Sequence, residues 1–175
     1  MKTTTNTNTS SLYFKALTIL CYAMAAGIVL FSIIVFALIA SGVDFSSGRH
    51  GGSSTAPLPA LPFEIVAIIL AVGGLLGGNT LFNTKVAATR YNGSLLEKTN
   101  AYRAAVILRY ALLEGPALFS VIVCLLTGQI IVLVITAIMV AVMLYSLPSK
   151  ERLISDLQLS FEETNVINDP DGIIG

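Results

Sequence analysis

The sequence predicts an all-α integral membrane bundle of four transmembrane helices, with both termini in the cytoplasm. The 175 residues are 55% hydrophobic and only 11% charged, whereas a soluble domain carries about 25% charged residues. The mean hydropathy is +0.83. Four apolar segments have the length of about 20 residues that a helix needs to cross a bilayer. They are too long for barrel strands, and they lack the alternation of apolar and polar residues that such strands show.

The four predicted spans cover residues 16–40, 61–83, 104–126 and 129–147. The first and last have no charged residue, the second has Glu64 near its start, and the third holds Arg109 and Glu114. The first span follows a mildly basic start, as a cleaved signal peptide also does. Its apolar stretch is longer than the about 7–15 residues of a signal sequence, so a retained anchor is the prediction.

The basic residues predict the orientation, because cytoplasmic segments beside membrane spans collect Lys and Arg. The loop after the first span has only Arg49, and the turn between the last two spans has none. The opposite side collects eight, which are Lys2, Lys15, Lys85, Arg90, Lys98, Arg103, Lys150 and Arg152. The tyrosines near that face fit interfacial anchors, and they are Tyr13, Tyr91, Tyr102 and Tyr145. We therefore expect cytoplasmic termini and a multi-pass protein of the plasma (inner) membrane.

The segments outside the spans are polar. Residues 1–11 are rich in Thr, Asn and Ser and predict disorder, and residues 42–60 predict a flexible Gly/Ser/Pro linker. The short tail, 148–175, predicts one brief amphipathic helix over 149–159, whose Leu153, Ile154 and Leu157 share a face. Ser160 and Glu163 have capping-box spacing, but the residues after them do not continue a helical pattern. Residues 168–172 predict a solvated turn in preference to a calcium loop.

The sequence contains no pattern that predicts an enzyme, a metal site, a cofactor site or a nucleic-acid site. Cys21 and Cys124 are expected near opposite ends of their spans, too far apart for a disulfide. His50 lies in the long loop without a second metal ligand nearby. No nucleophile–base pair and no phosphate-binding loop is present. The expected partners are the lipid bilayer and either another membrane protein or further copies of the chain.

Glu114 is the first candidate site residue. It lies about ten residues, or roughly 15 Å, into its span, which puts it near the midplane of a core about 30 Å thick. Desolvation there favours the protonated form of a carboxyl group. Glu114 is therefore a candidate carrier of protons or monovalent cations, and the alternative is a structural hydrogen bond between helices.

A glycine patch in the second span is the second candidate, at a depth close to that of Glu114. Two overlapping G-x-x-x-G steps, Gly73 to Gly77 and Gly74 to Gly78, predict close approach of another helix. This bare face and the carboxyl group are expected to meet. Pro116 removes a helical donor and frees a carbonyl oxygen beside Glu114.

Arg109 is the third candidate, together with Asn79 and Asn83. Arg109 precedes Glu114 by five residues, roughly 140° around the helix, so the two make a poor intrahelical pair. It lies about 8 Å from the cytoplasmic end of its span. Asn79 is expected at a similar depth and able to accept its hydrogen bonds; snorkelling of Arg109 to the interface is the alternative.

Residues 63–126 resemble the c-subunit (proteolipid) hairpin of rotary ATPases. The likeness lies in the glycine-rich span, the polar basic loop that contains Arg90, and the segment 111–119, which reads ALLEGPALF. The resemblance implies that Glu114 is the protonatable, ion-carrying carboxylate of an oligomeric ring.

Two functions follow from these patterns. One is a small membrane subunit that couples to protons or ions through Glu114. The other is a structural or assembly protein that packs against partners through its glycine-rich face. Glu114→Gln and Gly77→Leu would distinguish them.

Overall fold

The computed structural model describes residues 9–42, 60–90 and 93–174, and every regular element within these ranges is helical. Three long helices come first, α1 (Ser10–Ala40), α2 (Ala60–Thr89) and α3 (Leu95–Thr127). A single 3-10 turn (Ile130–Val132) leads into α4 (Leu133–Tyr145). Two short helices follow, α5 (Lys150–Leu157) and α6 (Phe161–Asn168). The all-α prediction is confirmed for the described part of the chain.

The lengths and composition of the first three helices suit membrane spans. Each is long and apolar enough to cross a bilayer. A fourth candidate exists if Ile130–Tyr145 and α5, which meet at an angle of 81°, are counted together. Helices of 30 to 33 residues extend about 45–50 Å, which exceeds the about 30 Å of the hydrocarbon core. The described helices are therefore those of a multi-pass membrane protein, with ends that project beyond the core.

The turn between α3 and α4 reverses the chain tightly, as the sequence predicts. Gly128 adopts a φ of +71°, a left-handed conformation that glycine accepts without strain. Its N–H donates to the Cys124 carbonyl and so caps the end of α3. The two helices then run antiparallel. The Thr136 hydroxyl donates to the Ala117 carbonyl at 3.1 Å, and the buried Tyr110 hydroxyl donates to the Met143 carbonyl at 2.6 Å.

Helix α1 runs alongside α3 in the same direction. The Tyr13 hydroxyl donates to the Thr99 carbonyl at 2.7 Å. Further along both helices, Val35 packs against Val121 and Cys124. The start of α1, the end of α2, the start of α3 and the end of α4 thus lie at one end of the bundle. The positively charged residues of those segments gather there, and we call it the basic end.

The tail packs onto the basic end. Leu153 and Leu157 of α5 and Ile167 of α6 are fully buried in the main core of the bundle. The short amphipathic helix expected over 149–159 is present as α5, and its apolar face contacts the chain's own helices. Ser10 begins α1 within the stretch predicted to be disordered, where its N–H donates to the Gly172 carbonyl and its hydroxyl to the Ile167 carbonyl.

The expectation that no helix follows Ser160 is wrong. Ser160 and Glu163 form a complete capping box that begins α6. The Lys98 ammonium binds the Glu163 carboxylate at 2.8 Å. Burial would raise the pKa of Glu163, but this ion pair and the Ser160 backbone N–H lower it. The helical pattern is hard to see in the sequence because α6 buries only Ile167.

Helix α3 begins nine residues before the predicted third span. A capping box of Ser94 and Glu97 starts it at Leu95. The charged residues of this first part hide it from a hydropathy criterion, yet they are compatible with a helix that projects from the membrane. His50, Tyr91 and most of the predicted 42–60 linker lie outside the described residues.

Candidate functional site

The glycine patch packs against α3 with one of its two glycine pairs. A Cβ atom added at Gly74 would lie 2.9 Å from Cγ of Pro116 and would also collide with the Leu112 carbonyl oxygen. A Cβ at Gly78 would lie 3.5 Å from the Arg109 carbonyl oxygen. Pro116 has no N–H to donate to Leu112, so this carbonyl has no helical partner. The absence of a side chain at Gly74 leaves room for the Leu112 carbonyl oxygen.

The second glycine pair faces away from the bundle. A Cβ at Gly73 or Gly77 would meet no atom within 4 Å. The same holds for Gly115 on α3. Gly73, Ala111 and Gly115 line an apolar groove of about 400 Å³ between α2 and α3. We call it the glycine groove, and it is an open strip in which another helix can approach the backbone closely.

Glu114 does not contact the glycine patch, so the expected meeting of the two is wrong. The glycines pack against Leu112 and Pro116. Glu114 is two residues from each, which places it roughly 160–200° around α3. Its side chain is half-buried, and it makes no hydrogen bond or ion pair within the described ranges. The depth of Glu114 could be estimated from its position in the span, but its direction depended on which face of α3 meets α2.

A second carboxyl group within a predicted span, that of Glu64, has no role predicted from the sequence. Its Oε1 atom is buried without a hydrogen-bond partner among the described residues. It lines an apolar pocket of about 280 Å³ beside the start of α4, with Ile131 and Val132. The pocket offers no cation and no second acid. The only feature of the sequence that could have drawn attention to Glu64 is its position as a charged residue near the start of the predicted second span.

Arg109, Asn79 and Asn83 come together, and they line a polar cavity of about 270 Å³ at the basic end. The two asparagines are one helical turn apart on α2, and Arg109 reaches the cavity from α3. The cavity also has walls from the end of α4 and from α5. The polar residues that complete it are Tyr102, Tyr110, Tyr145, Ser146, Arg152 and Asp156.

The two arginines of the cavity stack on aromatic rings. The guanidinium carbon of Arg109 lies 5.4 Å from the centre of the Phe82 ring, and that of Arg152 lies 5.3 Å from the centre of the Tyr145 ring. Both distances suit cation–π attraction. Neither guanidinium forms an ion pair in the described part of the chain, where Lys98–Glu163 is the one such pair.

Asp156 is the acid of this cavity. Burial raises its pKa, although Arg152, Arg90 and Arg109 oppose that shift. The Arg90 side chain also donates from Nε to the backbone carbonyl of Asp156 at 2.8 Å. Three arginines therefore surround one carboxyl group, and the cavity has an excess of positive charge.

Sequence reasoning missed the part of this cavity that the tail contributes. Ser146, Arg152 and Asp156 come from the end of α4 and from α5. The i, i+4 spacing of Arg152 and Asp156 indicates a common helix face. That this face lies against Arg109 depends on the 81° bend after Tyr145, which the sequence does not reveal.

Comparison with known proteins does not add to this geometry. The chain matches no protein-family model, no curated protein and no solved structure.

Proposed function

We propose that this chain is an assembly protein with four membrane spans, and that it binds a transmembrane helix of a partner along the glycine groove. The partner is another membrane protein or a second copy of the chain. The observation that carries the proposal is the division of the glycine patch. Gly74 and Gly78 are used inside the bundle, whereas Gly73 and Gly77 are open.

Four spans with cytoplasmic termini are part of this proposal. The stretch Ile130–Tyr145 has about 24 Å of helix and runs antiparallel to α3 from Gly128 to the level of Tyr110. The strong bend to α5 follows at the basic end. That end contains the positively charged residues typical of a cytoplasmic face, so we assign it to the cytoplasm of the plasma (inner) membrane.

Close helix packing explains why open glycines in a span favour a protein partner. Within a bilayer, lipid tails are as apolar as leucine, so helices associate mainly through van der Waals packing and interhelical hydrogen bonds. Small residues increase that packing because they let two backbones approach. The glycine groove provides such a surface on both α2 and α3, through Gly73, Ala111 and Gly115.

We expect Gly73→Leu and Gly77→Leu to reduce the complex formed in the native membrane by more than about tenfold. Loss of about 1.4 kcal/mol of helix packing is sufficient for that change. The measurement is the size distribution of the gently extracted protein, combined with cross-linking before extraction. Folding of the single chain should be retained, because both substitutions point into open space.

Gly27→Leu is the matched control, since Gly27 is an equally open glycine on α1. It should leave the complex unchanged. An unaltered complex in both Gly73→Leu and Gly77→Leu, or an equal loss in the Gly27 control, contradicts the proposal. Glu114→Gln belongs in the same series and should retain the complex. If it abolished an ion-dependent activity while insertion stayed normal, ion or proton coupling through Glu114 would be favoured.

A further inference from the structure

The polar cavity at the basic end has more positive than negative charge among the described residues that line it. Arg109 and Arg152 both line the cavity, and Asp156 is the acid among its lining residues. Arg90 lies beside it and donates to the Asp156 backbone. Charged groups in or near a membrane are usually paired, because an unpaired charge is costly to desolvate. The cavity is therefore suited to an anion.

An unsatisfied hydroxyl group gives independent evidence for a ligand. Ser146 is only 7% exposed, and its Oγ has no hydrogen-bond partner within the described residues. It lines the same cavity. A buried hydroxyl without a partner costs about 1–3 kcal/mol. A ligand oxygen in the cavity would remove that cost, and the amides of Asn79 and Asn83 offer further donors to it.

The cavity lies where a membrane surface is expected. Helix α4 ends at Tyr145, and α5 continues at 81° to it, so α5 runs across the direction of the spans. Tyr145 is 80% exposed, as is usual for an aromatic anchor at the level of lipid headgroups. Asn79 and Asn83 are exposed as well, so the cavity is open to the surface at this level.

We propose that this cavity binds the phosphate group of an anionic ligand, with Arg109 and Arg152 as the cationic donors and Ser146 as a hydroxyl donor. Two planar guanidinium groups from different helices match the oxygens of a phosphate. Basic pockets between spans on the cytoplasmic side bind phospholipid headgroups in this way. A phospholipid and a soluble phosphate compound share this chemistry. The placement of the cavity on the cytoplasmic side rests on the proposed orientation. The cavity shares no lining residue with the glycine groove, so loss of phosphate binding and loss of the partner complex are distinguishable.

The chain has no tryptophan, which allows a single fluorescent reporter beside the cavity. Tyr145→Trp keeps an aromatic ring under Arg152 and adds the reporter. The full-length variant in detergent micelles is titrated with dihexanoyl phosphatidic acid, inorganic phosphate and uncharged dihexanoyl glycerol. Thermal unfolding of the unsubstituted chain with the same three compounds provides a second readout, because a ligand that binds the folded state stabilises it.

A saturable response to phosphatidic acid alone supports a lipid headgroup as the ligand. A saturable response to inorganic phosphate of equal or greater affinity supports a soluble phosphate compound. The proposal is overturned if neither compound gives a saturable response, or if dihexanoyl glycerol gives the same response as phosphatidic acid.

Substitutions then locate the site. Arg109→Gln and Arg152→Gln should each weaken binding at least about tenfold, since each removes charge-assisted hydrogen bonds. Ser146→Ala should weaken it several-fold and leave folding intact, because the hydroxyl has no partner to lose. Lys85→Gln removes an exposed positive charge at the same end and should change affinity by less than about twofold, since solvent and salt screen it. Unchanged affinity in Ser146→Ala and in whichever arginine variants fold would also overturn the proposal.

Discussion

Gly74→Leu is expected to prevent α2 from packing against α3 and to destabilise the bundle by about 3 kcal/mol, the upper end of what overpacking usually costs. A side chain at this position meets the Leu112 carbonyl oxygen and the Pro116 ring. One belongs to the backbone and the other is a rigid ring, so neither can move aside cheaply. The free energy of unfolding in mixed micelles measures the effect.

The adjacent Gly73→Leu provides the control for that prediction. Its side chain points into the glycine groove, where a Cβ meets nothing within 4 Å. The stability of the single chain should therefore stay within about 0.5 kcal/mol of the unsubstituted protein. Equal destabilisation by both variants would contradict the finding that Gly74 packs against α3 whereas Gly73 is open.

Leu157→Ala is expected to release the tail from the basic end at a cost of about 2–5 kcal/mol. Leu157 is fully buried in the main core, beside Leu153 and Ile167. Its truncation leaves a cavity where α5 meets the long helices. The expected result is faster protease cleavage and faster amide hydrogen exchange in residues 148–174, with little change within the spans.

Phe161→Ala is the matched control, because Phe161 is a large apolar residue of the same tail that is 81% exposed. It should leave the protection of the tail unchanged. Equal behaviour of the two variants would contradict docking of the tail through Leu157. Cleavage of the unsubstituted tail as fast as an unfolded peptide would contradict it as well.

Composition and hydropathy predicted the membrane bundle because they depend on residue type alone. The tight turn between α3 and α4 could be predicted because only residues 127 and 128 separate the two predicted spans. The start of α3 and the existence of α6 could not be predicted from hydropathy. Capping boxes and a few buried residues stabilise these segments, and their many charged residues hide the apolar pattern. Residues such as Glu97 and Lys98 lower hydropathy without preventing a helix that projects from the membrane.

The candidate residues show a similar division. Depth along a helix follows from counting residues, so Arg109 and Asn79 were correctly expected at a similar level. Direction around a helix requires knowledge of its neighbours. The sequence therefore did not reveal that Glu114 lies away from the glycines. Nor did it reveal that, of the patch, only Gly74 and Gly78 face α3. The tail side of the cavity depends on the bend after Tyr145, which no local pattern signals.

The membrane topology of the bundle decides two points: its orientation decides whether the cavity faces cytoplasmic headgroups, and its spans decide whether the glycine groove lies within the membrane. Single cysteines at exposed positions measure it most directly, with Ser41→Cys and Gln129→Cys at one end and Glu162→Cys at the other. The unsubstituted chain is the control, because Cys21 and Cys124 are buried. In intact cells, a membrane-impermeant maleimide should label positions 41 and 129, and it should label position 162 only after permeabilisation. Labelling of position 162 in intact cells, or labelling of only one of positions 41 and 129, would contradict four spans with cytoplasmic termini.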